Sequence, residues 1–101
     1  MSQEILSVAV FQPVHGKEEE AIAVMRALIH LAVERNYSRD TLYRDQNSHR
    51  YLHIRCWISE ETRSEADGDP QVHSYWAKLR RLIRVEKFYD GFTGVDATDA
   101  R

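Results

Sequence analysis

The chain has 101 residues, enough for one domain with its own core, yet few enough that burying a further face against a second copy would add appreciably to its stability. A formal charge of −2 excludes a global pull towards nucleic acid or an anionic membrane, and 43% hydrophobic with 30% charged residues is the balance of an ordinary soluble globular protein. Cys56 is the only cysteine, so no disulfide forms within the chain; no apolar run approaches the roughly 20 residues of a membrane span, no secretory leader pattern is present, and a cytoplasmic setting is expected.

Residues 5–12, ILSVAVFQ, are rich in β-branched and aromatic side chains and stop at Pro13, with Gly16 following, which predicts a first strand and a turn. From Lys17 the pattern becomes helical: Ile22, Met25, Leu28, Ile29 and Ala32 share one side, and Glu18, Glu19 and Glu20 stand in the first turn, where the helix dipole favours anions. TLYRD (41–45) alternates as a second strand, QNSH supplies turn residues, and YLHIRCWIS (51–59) returns as a third, so a hairpin is predicted. The next ten residues, EETRSEADGD (60–69), hold no large apolar side chain and are expected to add almost nothing to a core.

Asp69-Pro70 starts a second helix with an N-cap acceptor and a proline pre-set for the first turn, and Val72, Tyr75, Trp76, Leu79, Leu82 and Ile83 form its apolar stripe. VEKFYDGF (85–92) reads as a fourth strand and residues 93–101 as a polar tail expected to lack fixed structure. The β-α-β-β-α-β order predicts a single-domain, ferredoxin-like α+β fold, a four-stranded antiparallel sheet with both helices on one face. The other face is then uncovered. The third strand has more apolar area than two helices can cover, which predicts a homodimer paired through its sheet faces.

The third strand has two unlike sides. Leu52, Ile54, Cys56 and Ile58 alternate with Tyr51, His53, Arg55 and Trp57. His53 is the candidate proton acceptor, since an imidazole exchanges protons near neutral pH. Trp57 offers an apolar plane for an aromatic ligand, and Ser7 and Ala9 are small enough to leave room opposite if they share that face. Arg55 is placed to hold an anionic oxygen, with Tyr51 as a further ligand contact. The competing reading makes all of these structural: His53 bonded across the sheet, Trp57 filling the core, and Arg55 paired with an acid such as Asp40, Asp45 or Glu86. An enclosed void beside His53 and Trp57 would favour the ligand-binding reading.

Cys56 has nothing basic near it on its aliphatic side and is expected to be core. The five histidines, His15, His30, His49, His53 and His73, show no metal-ligand spacing, so no metal is expected. Lys78, Arg80, Arg81, Arg84 and Lys87 make the end of the second helix basic, as its dipole favours, without the aromatic or helix-turn-helix elements that nucleic-acid recognition needs.

VFQPVHGKEEE, LYRD, YLHIRCW and DPQVHSYWAKL, in that order and spacing, resemble the dimeric α+β barrel superfamily, and most of all its antibiotic biosynthesis monooxygenase branch. The resemblance runs from Ile5 to about Phe92. It implies two sheets closing into a barrel at a dimer interface, and a pocket between sheet and helices for a small phenol- or quinol-like compound, oxidised without a cofactor. Trp57 carries over from that family, while His53 stands where its active members often have Asn. The segment after the tryptophan departs: Arg63, Ala66 and Asp67 replace the usual leucines and histidine, so a pocket wall is expected to be missing or replaced by a polar loop. Ala9 and Trp76 stand where the haem-degrading branch needs Asn and His, which disfavours that activity. A non-catalytic dimeric barrel, binding a small molecule or purely structural, is the alternative.

Overall fold

The computed structural model describes residues 4–95. Within them the order is β1 (Ile5–Pro13), α1 (Glu18–Glu34), β2 (Ser38–Arg44), β3 (Tyr51–Trp57), α2 (Glu60–Asp67), α3 (Pro70–Leu82) and β4 (Ile83–Thr93). The four strands pair antiparallel in the order β2-β3-β1-β4, the ferredoxin-like α+β arrangement expected. No helix of these residues is long and apolar enough to cross a membrane.

β1 ends at Pro13, and Gly16, at a left-handed φ of 79°, turns the chain into α1. α1 buries Ala21, Met25, Leu28, Leu31 and Ala32, with Ile22 and Ile29 half-buried beside them. Its end is closed by Asn36 at φ 58°, a conformation asparagine tolerates. The Asn36 N–H donates to the Val33 carbonyl and the Tyr37 N–H to that of Ala32, the paired bonds of a Schellman motif.

The segment after β3 corrects the sequence reading: Glu60–Asp67 is a helix and not a loop. Local capping outweighs its lack of apolar residues. Ser59 accepts from the Thr62 N–H while the Thr62 hydroxyl accepts from the Ser59 N–H, and Ala66 is buried beneath the helix. β2 begins three residues before the predicted start, at Ser38, and β4 follows α3 without a gap. Thr93 closes β4 instead of opening the tail, whose residues 96–101 lie outside those described.

The two sides of β3 meet opposite fates. Tyr51, His53, Arg55 and Trp57 are buried on the face that the helices cover, while Leu52, Ile54 and Cys56 are half-buried on the open face. Contrary to the expectation from sequence, Cys56 is not core within the subunit, because the aliphatic side of β3 faces away from both long helices. Burial pushes its thiol upward, and neighbouring Glu4 adds to this, so it stays protonated at neutral pH.

Tyr37 joins the end of α1 to the start of α3. Its hydroxyl donates to Asp69 Oδ2 at 2.7 Å, Arg35 pairs with the same oxygen, and Oδ1 caps α3 by accepting from the Gln71 N–H at 2.9 Å. The bonds from Tyr37 and Arg35 hold the Asp69 carboxyl down to about 2. A depressed carboxylate stabilises the fold above its unfolded pKa and ceases to do so as pH falls through the folded one. Thermal unfolding should therefore show a loss of stability from about pH 4 to about pH 2 in the wild type. Asp69→Asn should have a lower midpoint at pH 7 and a flatter profile over that interval.

Candidate functional site

Ladder register brings the site together. On the helix-covered face, β3 places Arg55 opposite Ser7 of β1 and Asp40 of β2, and His53 opposite Ala9 and Leu42. Asp40 thus lies directly across from Arg55 and diagonally from His53, within reach of both.

The Asp40 side chain has no exposure, and those of His53 and Arg55 have 2% and 9%. His53 Nε2 lies 2.8 Å from Asp40 Oδ2, and the Ser38 hydroxyl donates to Oδ1 at 2.6 Å. Burial pushes the Asp40 carboxyl up, but the bonds from His53 and Ser38 and the charge of Arg55 outweigh it and leave the pKa below its ordinary value near 3.8. The group is then an ionised acceptor at neutral pH, which places a proton on His53 Nε2; in that tautomer of the free base the lone pair is on Nδ1.

Asp40 is the acid that the sequence left unchosen for Arg55. Arg55 Nε stands 3.1 Å from Asp40 Oδ2, an ion pair without the alignment of a hydrogen bond, and Nε and Nη2 are both buried without a hydrogen-bond partner among the described residues. Burial pulls the guanidinium pKa down against the opposing pull of Asp40. Its Cζ rests over the Trp57 indole, 4.4 Å from the ring centroid, a cation–π contact strengthened by the burial of Arg55.

A cavity of about 150 Å³ opens beside these groups, lined by Ser7, Ala9, Phe11, Met25, His53, Arg55, Trp76, Ile83, Val85 and Phe88. The small side chains of Ser7 and Ala9 make room for it. His53 and Arg55 border it, and Trp57 does not. The Trp57 indole N–H donates to Ser7 Oγ at 2.8 Å, Ser7 donates to Asp90 Oδ1 at 2.6 Å, and Asp90 pairs with Arg63 of α2. This chain locks Trp57 beneath Arg55, and the positive φ of Gly91, beside the shifted register of β4, helps aim Asp90 at Ser7.

The aromatic walls come from Trp76 of α3, tilted 40° to His53 at 6.5 Å between centroids, and from Phe11 and Phe88. From sequence Trp76 belongs to the apolar stripe of this helix and to the place of the haem-degrading branch's histidine, not to a cavity wall; it is half-buried beside Tyr75. Tyr51 lies apart from the cavity, stacked on Phe11 at 5.4 Å with its hydroxyl bonded to Glu18. It borders a larger open cleft of about 1220 Å³ around the β1–α1 turn, where Glu18 pairs with Arg44 and Glu86 with Arg50. Among the described residues no group of His, Cys, Asp and Glu is arranged to hold a metal ion.

This ferredoxin-like α+β fold is shared with solved structures of low sequence identity. SnoaB, a cofactor-independent oxygenase from Streptomyces nogalater, matches with a TM-score of 0.76 at 20% identity over 94% of this chain and 99% of its own. A Chloroflexus aurantiacus protein proposed to be an antibiotic biosynthesis monooxygenase matches at TM-score 0.75, 16% identity and coverage of 91% and 93%. A Bacteroides thetaiotaomicron protein of unknown function, described as a possible oxidoreductase, gives TM-score 0.81 at 11% identity over 93% and 100%. No family model matches the chain, and no curated protein matches it in sequence.

Removing one member of a buried charge pair strands the other, at a cost of about 3–5 kcal/mol. Asp40→Asn should lower unfolding stability by about 3 kcal/mol at pH 7 in urea denaturation. Because the folded Asp40 pKa is depressed, the difference from wild type should shrink as pH falls through that value.

Proposed function

We propose that the protein is a cofactor-independent monooxygenase-type enzyme acting on a small phenol- or quinol-type aromatic bound between the sheet and the helices. The observation that carries this reading is the His53–Asp40 pair at the wall of an apolar cavity of about 150 Å³. His53 Nδ1 takes the hydroxyl proton, and the imidazolium formed is stabilised by Asp40 on its other nitrogen. The resulting phenolate is far more easily oxidised than the phenol.

Electrons balance without a separate reductant. A phenol that gains one oxygen atom from O2 at a ring carbon and loses two hydrogens becomes a quinone, and the second oxygen atom leaves as water. The protein's part is to deprotonate, position and exclude water. Arg55 supplies positive charge for an anionic ligand oxygen, and Trp57 acts through Arg55 as a positioning residue.

Oxygen consumption with single-ring phenols and quinols tests this. Turnover by the wild type should fall roughly a hundredfold or more in His53→Gln, the loss expected of a proton acceptor. Binding without oxygen uptake in the wild type would leave a ligand-binding protein and overturn the enzymatic reading.

The same reading includes a homodimer. Leu6, Val8, Val10, Leu52 and Ile54 are half-buried on the open sheet face, with Tyr43, Tyr89 and Phe92 at 54%, 44% and 50% exposure. An apolar surface spread across a whole sheet is more than a monomer ordinarily leaves to water, and a second copy offers a matching one. Light scattering should return twice the subunit mass at micromolar concentration. Ile54→Lys, which puts a charge at the middle of that face, should return the subunit mass.

A further inference from the structure

Around the cavity every polar group but one has its chemistry accounted for. Ser7 is bonded on both sides, to Trp57 and to Asp90. His53 is bonded to Asp40, and its second nitrogen is the proton acceptor of the reading above. Arg55 is the exception: its side chain is 91% buried, its Nη2 has no partner among the described residues, and Asp40 is already shared between His53 and Ser38. An unpaired buried guanidinium N–H is costly, and a second anion is what removes the cost.

Size and spacing restrict that anion further. An apolar cavity of about 150 Å³ holds one benzene-sized ring. His53 and Arg55 are two residues apart on one face of β3, hence about 6.6 Å apart along the strand. That is comparable to the distance between substituents on opposite sides of a single aromatic ring.

We infer that the cavity takes a single-ring aromatic carrying an anionic group such as a carboxylate across the ring from its hydroxyl, the anion facing Arg55 and the hydroxyl facing His53. This deepens the monooxygenase reading and rests on it only for the role of His53. The remaining walls, Ala9, Phe11, Met25, Trp76 and Phe88, offer the ring apolar contact, and the volume of about 150 Å³ is that of one ring and not of two fused ones.

Isothermal titration with 4-hydroxybenzoate, phenol, benzoate and 6-hydroxy-2-naphthoate tests the inference on the wild-type protein, without any variant. 4-Hydroxybenzoate should bind roughly ten- to a hundredfold more tightly than phenol, the worth of a charge-assisted hydrogen bond, and the naphthoate should not bind. Equal affinity for phenol and 4-hydroxybenzoate, or tight binding of the naphthoate, overturns it. In Arg55→Gln the preference for the carboxylate over phenol should disappear, and in Arg55→Lys it should partly return. Should Arg55→Gln not fold, the wild-type series still decides. Oxygen uptake separates the two readings: uptake with neutral phenols and no carboxylate preference sinks only the anion inference. Carboxylate-selective binding without uptake sinks only the oxidation.

Discussion

Asp40 carries a negative charge beneath the helices with its side chain shielded from bulk solvent, and the arrangement of the site follows from how that charge is compensated. Three donors or cations converge on one carboxylate: the imidazole of His53, the hydroxyl of Ser38 and the guanidinium of Arg55. Such a cluster is a poor way to stabilise a domain, because desolvating each ion costs several kcal/mol and a well-packed apolar set of equal volume would do as well or better. Its position at a cavity wall gives it another use. One carboxylate fixes the tautomer of a histidine and keeps an arginine charged and in place, so two residues of one strand present different chemistry to the same small space.

The surrounding fold holds this cluster rigid. Trp57 underlies the guanidinium and is itself tied through Ser7 and Asp90 to Arg63, so α2 is connected to the site by a continuous set of polar contacts. The segment without a large apolar side chain thus still contributes to the site: it does not wall the cavity, but it braces the strand that does. The larger cleft near the β1–α1 turn offers no comparable group. Its charges are mostly exposed and mixed in sign, and such pairs are worth little to a ligand or to stability.

Much of the architecture could be read from periodicity. The two-residue alternation of β3 separated the correct side chains onto the correct faces, and the asparate-proline start and apolar stripe of α3 were visible because each has a local physical cause. What alternation does not encode is which face turns inward. The aliphatic side of β3 was the natural choice for a core, and Cys56 was assigned to it, but the chain buries the polar side because Asp40 neutralises Arg55 there. That acid was hidden by a boundary: starting β2 at Thr41 left Asp40 outside the strand, so its place opposite Arg55 and diagonal to His53 had no register to be read from. α2 was missed for a different reason. Apolar periodicity is silent in a helix with one buried alanine, and the reciprocal Ser59 and Thr62 bonds were the only signal.

The members of the cluster are mutually consistent. A histidine at residue 53 requires a partner to set its tautomer, and β2 supplies Asp40. A carboxylate buried there requires a cation, and β3 supplies Arg55. A guanidinium at that depth requires a flat apolar support, and Trp57 lies under it. Each residue of the cluster creates an electrostatic demand that the next residue in the ladder meets, until the outer edge of Arg55, where no described residue supplies a partner. Among the described residues the other buried polar side chains are satisfied by protein groups, and the open donors of Arg55 are the ones that the proposed anionic ligand would meet.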